Sequence, residues 1–275
     1  MEPMHNSNEP LPRCEGPKLD PFPDPKAAII FRRLLSDKDS EGDAHVVEAT
    51  IGSTSYAIKL FKFYDFTTQR ASLARHENDL VPDDLLQAHS DPFYNECRAY
   101  GRLKEHNLDG KVAVRCYGYL TFPAEIEAHL KRDFQVQDWN RTGKEYKKPV
   151  SERRPIQAIV KDLILEDAPL TGKAADKILR DLKKMRSVGV YPLDIRPRNY
   201  KAGLLVDMSI ARTTPHFLFD IRGPKAVARM KSIDLGMWET MRERGKLNTR
   251  LRAVRDKECC AKLRPRKRKK TDSGQ

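Results

Sequence analysis

The spacing of apolar and polar residues divides the chain into stretches of different period. Residues 1–25 hold seven prolines and almost no periodic apolar pattern. Such a segment buries too little surface to offset chain entropy, which predicts a disordered, proline-rich arm. From Ala27 the pattern changes: AAIIFRRLL is a short apolar stretch and SDKDSEGDAH a polar loop. VVEATIGSTSYAIKLFKF then alternates on either side of Gly52-Ser53, predicting two strands of a small antiparallel sheet joined by a turn. Residues 67–92 are polar and acidic, after which FYNECRAYGRL places Phe93, Glu96, Tyr100 and Leu103 on one helical face. VAVRCYGYLTF and PIQAIVKDLIL predict two more strands, separated by a charged insert at 123–155 that reads as a surface excursion. Over 174–188, Ala175, Ile178, Leu179, Leu182 and Met185 form a helical stripe that Gly189 can terminate. A polar loop, DIRPRNY, follows; LLVDMS is an apolar run ending in an acid, and a charged helical stretch leads to KLRPRKRKK. No internal repeat of fixed period is present.

Composition sharpens this division. The 275 residues suit one large domain or two lobes with tails. Lys and Arg total 52 against 39 Asp and Glu, a net charge of +13, and the hydrophobic fraction is 39%. That fraction lies below the roughly 45–50% of globular chains, as expected if part of the length is tail or solvated insert. Residues 262–275 carry seven basic side chains and one acid, so the body is only mildly basic. There is no apolar core for a signal peptide and no window near the roughly 18 apolar residues of a membrane helix, which predicts an intracellular, soluble protein with no membrane partner. The five cysteines lack C-x-x-C spacing and read as reduced thiols rather than as disulfides or a zinc site.

Four positions point to chemistry. In YAIKLFK, alternation puts Ala57, Lys59 and Phe61 on one strand face and Tyr56, Ile58 and Leu60 on the other. Glu96 sits on the apolar stripe of its helix, where an acid is costly unless paired, so a lysine on an adjacent sheet and this glutamate can satisfy one another. Asp194 and Asn199 stand five residues apart in a loop after a long helix. Phosphoryl transfer uses such a pair, the aspartate to accept a hydroxyl proton and the amide oxygen to hold a metal bridging phosphates. Asp207 ends the apolar run LLVD eight residues later. Each position alone has an ordinary structural role that suits it at least as well: a solvated lysine, a turn, a capping acid. Their order along the chain is that of the protein-kinase signature set.

From about Ala27 to Met241 the chain resembles the protein-kinase-like fold. More narrowly, YAIKLFKF, FYNECRAYGRL, IQAIVKDLI, DIRPRNY and LLVDMS resemble fungal kinase-like proteins catalogued with a kinetochore-subunit family, the Fta-two type of the Sim-four complex. The resemblance implies an α+β, two-lobed fold with a small antiparallel-sheet N-lobe (26–165) and an abbreviated helical C-lobe (166–257). It implies ATP and magnesium as cofactors: Lys59, paired with Glu96, would hold phosphates, Asp194 would be the catalytic aspartate, and Asn199 and Asp207 would ligate magnesium. Gly42 would belong to the phosphate loop, and the backbone near Val160 to Ile164, with Val160 and Asp162, to the hinge that faces adenine. Three features depart from the family pattern. The loop at Ser36–Val47 has Gly42 alone and adds Asp37, Asp39, Glu41 and Asp43. Pro192-Leu193 replaces the usual His-Arg, and Asp207-Met208-Ser209 the usual Asp-Phe-Gly. Only 68 residues follow Asp207, without an Ala-Pro-Glu motif. If Asp207 lies away from Asn199, Asp220 or Asp234 takes its place as the metal candidate.

The expected function is ATP-dependent phosphoryl transfer to a Ser or Thr hydroxyl of a protein substrate. The rivals are a non-catalytic pseudokinase acting as an interaction module in a protein complex, and a small-molecule kinase. The tail at 258–275 is expected to be disordered and basic. Six of the seven residues Arg264–Lys270 are cationic, a run that a nuclear import receptor reads, giving a nuclear location. Nucleic-acid contact through the same run is the alternative, without aromatic residues to stack on bases.

Overall fold

The computed structural model describes residues 11–253 apart from residues 25, 38–41 and 167–168. The expected tail at 258–275 lies outside the described residues. Five strands form one antiparallel sheet: β1 (Ile29–Leu34), β2 (Ala44–Ile51), β3 (Thr54–Phe61), β4 (Cys116–Phe122) and β5 (Ile156–Asp162), in the order β1-β2-β3-β5-β4. The β2–β3 hairpin turns at Gly52-Ser53, with Gly52 at φ +61, a value glycine adopts without steric penalty. Alternation along β3 sorts its side chains as the spacing requires. Ile58 and Leu60 enter an apolar cluster with Phe31, Leu120, Phe122 and Val160, while Phe61 points to the opposite face. There it meets Phe93 edge-on at 5.4 Å, on the Pro92–Glu105 helix.

That helix links the sheet to the helical part of the molecule, because Phe93, Tyr100 and Leu103 belong to the same core cluster as Ile178, Leu179, Leu182 and Met185 of the Gly172–Ser187 helix. Trp238, on the Ile233–Arg244 helix, is fully buried against the latter and donates its indole N–H to the Ala175 carbonyl at 2.9 Å. The protein is thus a mixed α/β structure with a five-stranded antiparallel sheet and several helices. Gly189 ends the Gly172–Ser187 helix in the left-handed region, at φ +80. Residues 67–92, polar in sequence, contain the short helices Thr67–Ala71, Arg75–Asn78 and Asp83–Ser90.

Two expectations fail. Residues 11–24 of the supposed disordered arm lie against the body, with Leu19 and Phe22 buried. The Phe22 amide donates to the Tyr119 carbonyl at 2.8 Å, and Arg98 donates to the Glu15 carbonyl at 2.7 Å. A strand edge and a helix about 100 residues away supply partners that no local pattern reveals. The charged insert is not a mere excursion either. It forms the Ile126–Phe134 helix and buries Ile126, Leu130, Val136 and Trp139. Its charges pair among themselves, Arg141 with Glu127 at 2.5 Å and with Glu145 at 3.3 Å.

Candidate functional site

Lys59 projects from the β3 face opposite Ile58 and Leu60, toward the Pro92–Glu105 helix. Its ammonium donates to Glu96 Oε2 at 2.8 Å, so the expected lysine–glutamate contact is present. It also donates to Asp207 Oδ1 at 2.7 Å. Asp207 follows the hairpin formed by Tyr200–Lys201 and Leu204–Leu205, and the Ser209 amide donates to the same carboxylate at 2.9 Å. A residue that sequence reasoning did not single out completes the network. Lys161, at the end of β5, donates to Glu96 Oε1 and, at 2.8 Å, to the Val206 carbonyl. The signal for it was a lysine interrupting an otherwise apolar strand.

Burial decides the electrostatics here. Glu96 is wholly buried and Lys59 and Lys161 nearly so. Burial by itself would lower the Lys59 pKa, but the charges of Asp207 and Glu96 outweigh it and hold the ammonium above the ordinary lysine value. Burial likewise pushes the Asp207 carboxyl upward, and Lys59 and Lys161 reverse this, holding it below the usual carboxylate range. Asp43 is the third acid of the group and accepts from Ser209 Oγ at 3.4 Å. Burial raises its pKa, Lys59 opposes the rise and the charge on Asp207 adds to it.

Apart from Glu96, which lies beneath it, these residues line a cleft of about 930 Å³, with Lys59, Asp194, Asn199 and Asp207 all on its wall. Asp194 stands half-buried beside Arg196, whose Nε lies 2.7 Å from its Oδ1. The Asn199 amide donates to the Asp194 carbonyl at 3.1 Å, which ties the two ends of the loop together. Leu193, immediately before Asp194, has φ +63, a conformation that costs a bulky residue of order 1–3 kcal/mol and persists only where the surroundings impose it. Asp207 and Asn199 share the cleft, which removes the need for the substitute acids. Asp234 is buried in an ion pair with Arg186 at 2.6 Å, and Asp220 sits on the short Phe217–Ile221 helix.

Gly42 and Asp162 also line the cleft, and Tyr117 donates its hydroxyl to Asp162 at 2.6 Å. Val160 does not. It is fully buried in the apolar cluster beneath the sheet, and the segment that faces the cleft is Lys161–Leu165. The reason is the two-residue period of a strand, which sends Val160 and Lys161 to opposite faces. Ser36, Asp37 and Asp43 contribute hydroxyl and carboxylate groups to the wall near Gly42, while Asp39 and Glu41 lie outside the described residues. Among the described residues no group of three or more His, Cys, Asp or Glu is arranged to hold a metal by itself. No helix among them is long and apolar enough to cross a membrane. Cys14, Cys97 and Cys116 are free thiols.

Comparison with known proteins gives one family. The profile described as kinetochore Sim4 complex subunit FTA2 matches residues 7–212, a span that includes every residue of the cleft network. No curated protein shows a significant match to the chain.

Proposed function

This chain belongs to the kinetochore Sim4 complex subunit FTA2 family, whose profile covers well over half of it, and from that premise we propose that it is a nuclear, protein-binding subunit of a kinetochore complex, built on a two-lobed protein-kinase-like body whose cleft takes ATP with magnesium. One observation carries the nucleotide part. Lys59 is joined to Glu96 and to Asp207 on the wall of a cleft that Asp194 and Asn199 also line. On this reading the five-stranded sheet would be the smaller lobe of such a body and the later helices the larger one.

The donor set fits the cofactors. A volume of 930 Å³ lies within the roughly 300–1,000 Å³ of small-molecule sites. Asp207 engages Lys59 and the Ser209 amide through Oδ1, and Asn199 donates through its amide nitrogen, leaving Asp207 Oδ2 and the Asn199 side-chain oxygen as hard ligands suited to magnesium. Bound magnesium supplies charge neutralisation and alignment of the phosphates. Lys59 would bind phosphate oxygens, held in place by Glu96, and Lys161–Leu165 would face the base. Asp37 and Asp43 work in the opposite direction, because carboxylates on the wall repel a triphosphate. Binding is therefore expected to be weak, which suits a protein-binding subunit better than a fast enzyme.

A second reading, transfer of the γ-phosphoryl group to a Ser or Thr hydroxyl of a protein, is favoured by Asp194 specifically. Asp194 lines the cleft, its carboxylate beside Arg196 and its backbone carbonyl held by the Asn199 amide, where the carboxylate would accept the hydroxyl proton. Magnesium-dependent thermal stabilisation of the full chain by ATP separates the possibilities. Wild type and Asp194→Ala should both be stabilised and Lys59→Met should not; phosphate transfer present in wild type and lost in Asp194→Ala would establish the second reading. Absence of any ATP effect with any divalent metal would remove the nucleotide from the proposal and leave the subunit role. That role is tested by co-purification of the tagged chain with other kinetochore proteins. Nuclear import through residues 262–275 is tested by deleting them and following location.

A further inference from the structure

A second cavity, of about 240 Å³, adjoins the cleft and shares Asp43 and Ile210 with it. It lies among the Asp83–Ser90 helix, the start of the Pro92–Glu105 helix and the segment around Arg212 and His216. The volume is below the roughly 300–1,000 Å³ of small-molecule sites, so it suits one side-chain-sized group rather than a nucleotide. Its wall carries an unusual cation. Arg212 belongs to the short strand Arg212–Thr213, paired with Val190–Tyr191, and its Nη1 is buried without a hydrogen-bond partner. Among the described residues no carboxylate forms an ion pair with it. The neighbouring cation Arg222 takes Glu77 at 2.7 Å, and Asp43, the one acid on this wall among the described residues, is turned to Ser209 and to the field of Lys59. Nearby, His89 is also buried with Nδ1 unpartnered, its ring 4.8 Å from that of His216.

A half-buried guanidinium with one nitrogen shut off from solvent and no carboxylate partner costs a fold stability, since charges withdrawn from water normally carry a partner. The guanidinium fork matches the oxygens of phosphate or carboxylate in a way no other side chain does. A guanidinium on one wall of a small cavity, with no carboxylate paired to it and the unpartnered imidazole of His89 on the next wall, points to an anion from outside.

We propose that this cavity is a binding site for a tetrahedral oxyanion, a phosphoryl group held by Arg212 with His89 beside it, separate from the nucleotide cleft. The group can arrive as free phosphate or on a phosphorylated side chain of a partner protein. The proposal does not rest on nucleotide binding.

The test uses the full chain, with inorganic phosphate and a phosphoserine peptide as probes against chloride of matched ionic strength. Either probe should raise the melting temperature of wild type, and of Lys59→Met, in which the cleft is impaired. Arg212→Gln should lose the shift, and Arg212→Lys should bind several-fold more weakly because the fork is lost. Without added anion, Arg212→Gln should melt at or above the wild-type temperature, since it removes an unpaired, half-buried charge. A larger shift from the peptide than from phosphate at equal concentration identifies a phosphorylated partner; an equal or smaller one identifies the free anion. The proposal is overturned if neither probe shifts wild type, if Arg212→Gln keeps the shift, or if Lys59→Met alone loses it. Arg212→Gln melting well below wild type without anion would also overturn it, by making Arg212 a structural residue.

Discussion

Replacing Glu96 by Gln tests whether the charge network holds the sheet to the Pro92–Glu105 helix. Glu96 is wholly buried and takes one lysine on each carboxylate oxygen, Lys59 on Oε2 and Lys161 on Oε1, with lysine side chains 8% and 5% exposed. Glutamine keeps the shape but removes the charge and turns an N–H donor toward one ammonium. Two buried cations then share Asp207, which is 37% exposed and lies on one side only. Breaking a buried ion pair from one side costs about 3–5 kcal/mol, because the remaining charge is left uncompensated. Against a total stability of about 5–15 kcal/mol this is a large fraction. At about 2–4 °C per kcal/mol for a fold of this size, the melting temperature should fall by roughly 6–20 °C. Urea unfolding should show a lower midpoint with an unchanged slope. The double variant Glu96→Gln/Lys161→Met removes one of the stranded cations and should recover part of the loss, by about 0.5–3 kcal/mol relative to the sum of the singles. A Glu96→Gln protein within about 1 kcal/mol of wild type, or a double variant that shows simple additivity, would refute the reasoning.

Two further outcomes follow from the same physics. Asp91 caps the Pro92–Glu105 helix, accepting from the Phe93 amide at 2.9 Å, and burial pushes its carboxyl up to about 7. A raised folded-state pKa means that the protonated acid favours the fold, so stability is greatest below the unfolded value of about 4 and declines as pH rises through 7. Asp91→Asn keeps a capping oxygen and loses the charge; its urea midpoint should match wild type near pH 4 and exceed it at pH 8, and parallel pH profiles for the two proteins would contradict this. Gly101→Ala would stabilise an isolated helix by about 1 kcal/mol, but here a Cβ would stand 2.6 Å from the Lys18 backbone carbonyl, so chemical denaturation should instead show a loss of about 1–3 kcal/mol.

Strands and helices with a clear period were legible along the chain. The hairpin around Gly52-Ser53, the Phe93–Leu103 stripe and the Ala175–Met185 stripe appear where the spacing put them, because period and burial are local properties of a segment. The pairing of Lys59 with Glu96 was legible too, since an acid on an apolar stripe demands a cation, and the family was legible from the motifs around these residues. Other features depend on contacts across long stretches of chain. Lys161 becomes a second partner of Glu96 only when β5 lies beside β3, and Val160 is denied to the cleft by the same register. Residues 11–24 have no pattern of their own, yet they order on Tyr119 and Arg98. The charged insert hides its apolar residues among charges that neutralise one another. Arg212 is an ordinary arginine in sequence, and its want of an anion is visible only once Glu77 is seen to be taken by Arg222. The chain alone determined which periodic segments are strand or helix and which charges need partners; the tertiary structure decided which partners they find, because a buried charge or an unpatterned backbone is satisfied by whatever distant group the packing brings within hydrogen-bond reach.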